Sequence, residues 1–467
     1  MPSGGGPTHG RNTAFLLRAA VAAAAVALCA ACTPDGQAPP AKHTTSEPPG
    51  PATLSLAVSG PPAVLDAWRE VADSYSAKHA EVAVDVQAHE SLDAELADVR
   101  ARTDAGNPPD LFLVDHAVLP EVLGRIWSGA DHGRRPLNQP VDELLGQRHL
   151  PFGDGYNRVG LEAFSANARL QCMPVELSPM VVYYNTDLLH LRRVARPGDD
   201  PVTPENGWSM EEFARAAHLA TSGSARGLAI APELEQVAPF VWSGGGELVD
   251  DRQDPTTTTL SDGASTNALE KLLELVRNPH VAFSSDELAR RSAVQRFRSG
   301  HVGMILGFRA LTPRLRTADN LHFDVMPMPR LPQRATIGSV SALCLSRDTR
   351  QVDAAADLLA HLVSDHAAEA LARTGSVMPS NLDAVNDPAF LQPGQQPGHA
   401  RVFDEAVAGI EFLPTGGDWP RASRLVDQAL EQLWTRPVID PLEKRLETID
   451  RRTGAVLAPR AEESGQS

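Results

Sequence analysis

The residue types best suited to chemistry are scattered along this chain. Asp115-His116 sets a carboxylate beside an imidazole, which could serve as a general base or a metal-ligand pair. A polar loop at a strand end is the plainer reading and is favoured. Gly244-Gly245-Gly246 offers bare backbone, yet it lacks the strand, spacing and Lys of a phosphate-binding loop and reads as a turn after a helix. Carboxylates are abundant, but no pair stands out as a glycosidase acid and nucleophile. The chain contains no G-x-S-x-G, H-E-x-x-H, G-x-x-x-x-G-K-[ST] or G-x-G-x-x-G signature. A binding protein without cofactor or metal is therefore expected ahead of an enzyme.

Whatever these residues do, an α/β frame must position them. Thr53–Val58 is a short apolar strand, and Val82, Val84 and Val86 alternate as another. Asp110–Val114 is continuously apolar, as in a sheet covered on both faces. Between them, Val64, Leu65, Trp68, Val71, Ala72 and Tyr75 recur every three or four residues, as do Leu92, Leu96 and Val99, so each set makes one helical face. Strand-helix-strand alternation implies a parallel sheet with right-handed crossovers. It continues with strands at Val181–Tyr184, Leu228–Ala231, Val302–Leu306, Phe323–Met326 and Val340–Leu345. Helices are expected at Met210–Thr221 (Ser209 and Glu212 forming a capping box), Ala268–Val276, Asp286–Ser299, Asp353–Val363, Asp365–Arg373 and Ala422–Trp434. Ligands of such sheets bind beyond the carboxyl ends of strands. That rule points to Ser59-Gly60, His89-Glu90 and Asp115-His116.

With 467 residues and 42% hydrophobic content, the chain can bury a large core over two or three domains. A formal charge of -17 argues against nucleic acid as a partner. Arg11 and Arg18 precede or open an uncharged small-residue run, Ala19–Ala31, which reads as a secretory signal peptide too short to span a bilayer. It ends at Leu28-Cys29-Ala30-Ala31-Cys32, which resembles the bacterial lipobox. Cys32 is the candidate for lipidation, with Cys29 standing where the motif usually has Leu. Thr33–Pro51 is Pro-rich, has no large apolar residue and reads as a tether. Cys172 and Cys344 remain in the mature chain, either as a disulfide or as two buried small hydrophobes.

From about Thr53 to Trp434 the chain resembles the extracellular solute-binding proteins of ABC importers, the family that includes maltose-binding protein. The resemblance rests on Met173-Pro174-Val175-Glu176 leading into Val181-Val182-Tyr183-Tyr184-Asn185-Thr186-Asp187-Leu188-Leu189, and on Gly207-Trp208-Ser209-Met210-Glu211-Glu212-Phe213. It extends to Phe297-Arg298-Ser299-Gly300-His301-Val302-Gly303-Met304, Phe323-Asp324-Val325-Met326-Pro327-Met328-Pro329 and Gly375-Ser376-Val377-Met378-Pro379, in the same order. It implies a two-lobe α/β fold like that of periplasmic binding proteins, with the ligand in the cleft between lobes. Residues 53–175 and about 342–385 would form one lobe, and about 176–341 and 386–455 the other. Residues 1–31 would be the signal peptide, 32–52 the tether and 456–467 a flexible tail. The family's topology brings the segments of Cys172 and Cys344 together, so a disulfide is expected.

The same resemblance implies a monomer that captures a sugar or sugar derivative and delivers it to ABC permease subunits by hinge closure. Trp419 with Asp418, in a Gly-rich loop before a helix, is the expected stacking aromatic, and Trp242 a second. Glu176 is a candidate hydroxyl acceptor. Phe308 and Arg309 stand where many relatives have a Trp. That departure keeps an acidic sugar or glycerophosphodiester open, since Arg can fork onto an anion. Aromatics total only 5%, thin for a sugar site. An exported hydrolase and a signalling receptor are the remaining rivals.

Overall fold

Two β-sheets organise the protein, and two chain segments carry it between them. The structure is a computed structural model that describes residues 52–124, 135–150 and 152–458. The signal peptide, Cys32, the tether and the last residues of the tail lie outside the described residues. The first sheet contains β1 (Ala52–Ser59), β2 (Val82–His89), β3 (Leu111–Asp115) and β4 (Asn138–Gln139). After a separate short hairpin, β5 (Ser165–Ala166) and β6 (Arg169–Leu170), come its further strands β7 (Met173–Pro179), β12 (Thr336–Ser346) and β13 (Ile410–Glu411). The second sheet has the order β11-β8-β10-β9 and is built from β8 (Val181–Asn185), β9 (Arg226–Ala229), β10 (Val302–Gly307) and β11 (Phe323–Met326).

The parallel part of the first sheet follows from its apolar runs. β1 buries Leu54, Leu56, Ala57 and Val58, and pairs in parallel with both β2 and β3. α1 (Pro62–Lys78) starts on Pro62, whose fixed φ suits a first helical turn. It buries Val64, Ala67, Trp68, Val71, Ala72 and Tyr75, one stripe at helical spacing. α2 (Leu92–Asp104) is capped by Ser91, whose side chain accepts from Ala94 N at 3.2 Å.

In the second sheet, β8 lies antiparallel between β10 and β11, with Val181 and Tyr183 facing one core and Val182 and Tyr184 the other. Beside it, helix Met210–Ala220 has both legs of its capping box: Ser209 N donates to Glu212 at 2.8 Å, and Glu212 N donates to Ser209 Oγ at 3.2 Å. The single helix expected over 286–299 is instead two, Ser285–Arg290 and Ala293–Arg298. Ser292 caps the second with Gln295, and a strong local cap ends the first helix before the apolar pattern does.

The change of sheet falls later on the way out, and earlier on the way back, than residues 176 and 341. Met173–Pro179 still pairs with β12, and only Met180 separates it from β8. The return lies between Met326 and Thr336, because all of β12 pairs within the first sheet. Cys172 and Cys344 are fully buried and disulfide-bonded, with Cα atoms 4.3 Å apart. Next to them, Met173 and Leu343 are cross-strand partners. The bond therefore fastens β7 to β12 and closes a loop with a separation of 172 residues.

One buried acid supports the strand ends. Glu95 on α2 is fully buried and accepts the Leu113 N–H of β3 at 2.7 Å. Burial pushes its carboxyl up to about 7, while the nearby Ser59 hydroxyl and the Leu113 N–H oppose the shift.

Two expectations follow. Replacing both Cys172 and Cys344 by Ala should lower folding stability by about 2–4 kcal/mol, measured by denaturant unfolding, and intact mass should show no free thiol in the native protein. Two free thiols, or unchanged stability, would contradict the bond. Glu95 holds its proton more tightly when folded, so its contribution is present at low pH and lost as pH rises through 7. From pH 5 to 8 the loss is at most about 3 kcal/mol. Glu95→Gln keeps an acceptor for Leu113 N and should flatten that slope, with the gain at pH 8; a gain at pH 5 only would contradict it.

Candidate ligand-binding site

A cavity of about 680 Å³ opens at the carboxyl end of β1, β2 and β3. Ser59-Gly60 lines it beyond β1, His89-Glu90 beyond β2, and Leu113 from β3. Glu176 of β7 and Ser341 of β12 reach it from the antiparallel half of the sheet. Ala310, in the turn after β10, brings the second sheet to the same space, and Ser376-Val377 completes the wall. The rest of the lining is apolar, mainly Pro61, Pro62, Val64, Leu65 and Leu92. Gly60 makes the exit from β1 possible: its φ is +149°, and a Cβ there would sit 3.3 Å from Val64 Cγ1.

The register of β12 aligns the polar residues of this wall. Ser341 is the cross-strand partner of Asp115 on one side and of Glu176 on the other. Burial, followed by the charge of Asp115, pushes the Glu176 carboxyl up to about 8. Asp115 accepts from Ala117 N at 2.8 Å and so caps the short turn His116–Val118. His116 Nδ1 lies 3.2 Å from Asp115 and 3.4 Å from the Val340 N–H, and its ring packs on Phe412 with centroids 4.2 Å apart. This pair shapes the strand end next to the cavity without lining it. Among the described residues, no group of three or more His, Cys, Asp or Glu could hold a metal ion.

The cavity thus gathers Ser59, Gly60, Glu90 and Glu176, with Asp115 and His116 adjacent. Five expected contacts fall elsewhere. Arg309 is fully buried, and its guanidinium lies over Phe390 (4.4 Å) and Phe403 (5.2 Å) and donates to Phe390 O at 2.7 Å. Burial pulls it down to about 10, and Nε and Nη1 have no hydrogen-bond partner among the described residues. It packs the interior rather than facing an anion. Phe308 packs against the second core, and its carbonyl accepts the Tyr183 hydroxyl at 2.9 Å. Trp242 is buried in helix Leu234–Ser243, ahead of the glycine turn. Trp419 is 5% exposed and is the first residue of helix Trp419–Thr435. It opens the buried stripe that continues through Ala422, Val426, Leu430 and Leu433, so the helix turns it into the core. Asp418 is exposed at the cap of that helix and makes no cap bond through its side chain.

Sequence reasoning missed Ser341, Ser376, Ala310 and the supporting Glu95. Glu95 carried a usable signal. It falls between Leu92 and Val99 at helical spacing, on the face the apolar residues already marked as buried.

Similar folds occur among solved structures. The sugar-binding protein MalE of Xanthomonas citri matches with a TM-score of 0.71 at 15% identity, over 88% of this chain and 98% of that one. An ABC substrate-binding protein of Listeria monocytogenes, solved in complex with cycloalternan, matches at 0.69 and 17%, over 86% and 98%. The cyclic alpha-maltosyl-1,6-maltose binding protein of Arthrobacter globiformis matches at 0.67 and 16%, over 87% and 99%. At these identities the likeness shows the fold: two α/β lobes of the periplasmic-binding type. The profile of the bacterial extracellular solute-binding proteins matches residues 70–396. The match spans most of the chain, including β2 to β12 and the whole run of strands that joins the sheets, and so the protein belongs to the bacterial extracellular solute-binding family.

Proposed function

We propose that the protein is the solute-receiving component of an ABC importer, which captures a carbohydrate outside the cell and delivers it to the permease by closing its lobes. The cavity is the observation that carries this reading. It lies at the carboxyl ends of parallel strands, where open α/β sheets bind ligands, and Ala310 in the turn after β10 reaches its wall from the second sheet. Its make-up suits a polyol: apolar Pro61, Pro62, Leu65 and Val377 can cover C–H faces, while Ser59, Ser341, Ser376 and Glu176 can meet hydroxyls. Of the proteins similar in fold, that of Listeria was solved with cycloalternan and that of Arthrobacter is named for binding cyclic alpha-maltosyl-1,6-maltose. The segments at Met180 and between Met326 and Thr336 would serve as the hinge. Nothing in this role requires chemistry on the ligand, and the protein would act as a monomer.

The anionic-ligand alternative loses its main support, because Arg309 is buried away from the cavity. Lipidation at Cys32 would hold the protein on the outer face of the membrane. No helix among the described residues is long and apolar enough to cross it.

A saturating sugar, at 100 times its dissociation constant, should add about 2.7 kcal/mol to folding stability, a rise of about 3 °C in Tm for a body of this size. A thermal-shift screen against neutral sugars, amino sugars, sugar acids and glycerophosphodiesters reads this directly. A response only to glycerophosphodiesters, or none at all, would contradict the carbohydrate reading. Separately, Cys32→Ala should move the protein from the membrane fraction to the medium; retention in the membrane would contradict lipid anchoring.

A further inference from the structure

Glu176 is an ionisable group that the fold does not use. It lies on the cavity wall, and no donor among the described residues hydrogen-bonds its carboxyl. Its neighbour across Ser341 is a second acid, Asp115, whose charge raises the cost of ionising Glu176. Other polar groups face the same space. Ser376 is 6% exposed, lines the cavity and makes no side-chain hydrogen bond among the described residues; Ser59, also 6% exposed, lines it with its hydroxyl near Glu95. Exposed Glu90 adds negative charge at the rim, and neither Lys nor Arg lines the cavity.

The other charged groups on elements packed against β7 do not neutralise Glu176. Helix Arg158–Ala163 brings Arg158 and Glu162, which pair with each other in solvent. The turn after β10 brings Arg309, committed to Phe390 and Phe403. Helix Arg401–Ala406 brings Arg401, Asp404 and Glu405, and Arg401 donates to Asn386. Beyond β3 lies His116, held at Val340 and Phe412. Among the described residues, the one charge that shifts Glu176 is that of Asp115, and it is repulsive.

A half-buried acid that burial makes costly to ionise, with no protein donor or counter-charge beside it, is open to a cation from the ligand. We propose that the solute of this cleft is an amino sugar, a polyol bearing a protonated amine, and that Glu176, flanked by Asp115, receives the ammonium. This rests on the cleft being the solute site. With no cation beside it, Glu176 is mostly protonated at neutral pH, since its carboxyl is pushed up to about 8. An ammonium favours the charged form, so binding expels that proton. Affinity for the amine should therefore rise with pH toward 8, by no more than about tenfold per unit, as long as the amine stays protonated.

Titration calorimetry on the whole exported chain tests this with glucosamine and its β-1,4 disaccharide, their N-acetylated forms, and maltose. The free amines should bind at least about tenfold more tightly than the N-acetylated forms. Their binding should release up to one proton near pH 6.5, read as a dependence of the measured heat on buffer. Glu176→Gln should fold, because no side-chain hydrogen bond is lost, and should abolish both the preference and the proton release. Asp115→Asn should weaken amine binding less than Glu176→Gln does. Equal or tighter binding of the N-acetylated forms or maltose would overturn the amino-sugar inference and leave the carbohydrate reading standing. Amine binding unchanged in Glu176→Gln would overturn the assignment of Glu176. Absence of binding by every probe would overturn both readings.

Discussion

The pairing of strand β12 constrains everything else. Along its length it meets β13, β7, β3 and β4, and residues 341–343 are held on both edges at once, by β3 and by β7. A strand shifted by one residue would present its other face. Ser341 would then leave the cavity, and Asp115 and Glu176 would no longer flank it. The disulfide at Cys344 fastens this register at one end. At the other end, both β12 and β7 run toward the segments that lead to the second sheet. Glu176 and Ser341 of the cavity wall therefore sit on the two strands that lead directly into the proposed hinge segments.

Buried Arg309 and half-buried Glu176 show how differently the fold treats cation and anion. Arg309 is buried without a carboxylate partner, and its compensation comes from two phenyl faces and one carbonyl. Glu176 has no such compensation, and burial acts on it together with Asp115. An interior cation solved by packing needs no solute. A cleft acid left unsolved leaves an energetic gain for whatever solute brings the missing charge. This asymmetry bears on the proposed ligand's charge more directly than the overall charge of -17, which describes the surface at large.

Much of the frame was readable from periodicity. The stripe of α1, the apolar run of β3 and the capping box at Ser209 each rest on interactions between residues close in sequence, and each forms where those residues point. The strand-end rule likewise located Ser59, Gly60 and Glu90 at the cavity. What failed depended on direction rather than type. Trp419 has the local look of a loop aromatic, but the stripe at Ala422, Val426 and Leu430 sets the rotation of its helix and turns the indole inward. Arg309 follows a strand as a ligand contact would, yet a short turn carries it onto Phe390 and Phe403, which lie about eighty and ninety residues later in the chain. Ser341 reaches the cavity through pairing with strands distant in sequence, Ser376 through a bend that follows helix Asp365–Ala372, and no local pattern marks either.

The most direct test of the account is a crystal structure grown with the sugar that gives the largest thermal stabilisation. The account places that sugar at the carboxyl ends of β1, β2 and β3, within hydrogen-bond distance of Glu176 and bounded by Ser59, Ser341 and Ser376, with the second sheet closed toward it. A sugar bound instead at the start of helix Trp419–Thr435, or a cleft left open and empty with the ligand elsewhere, would contradict it.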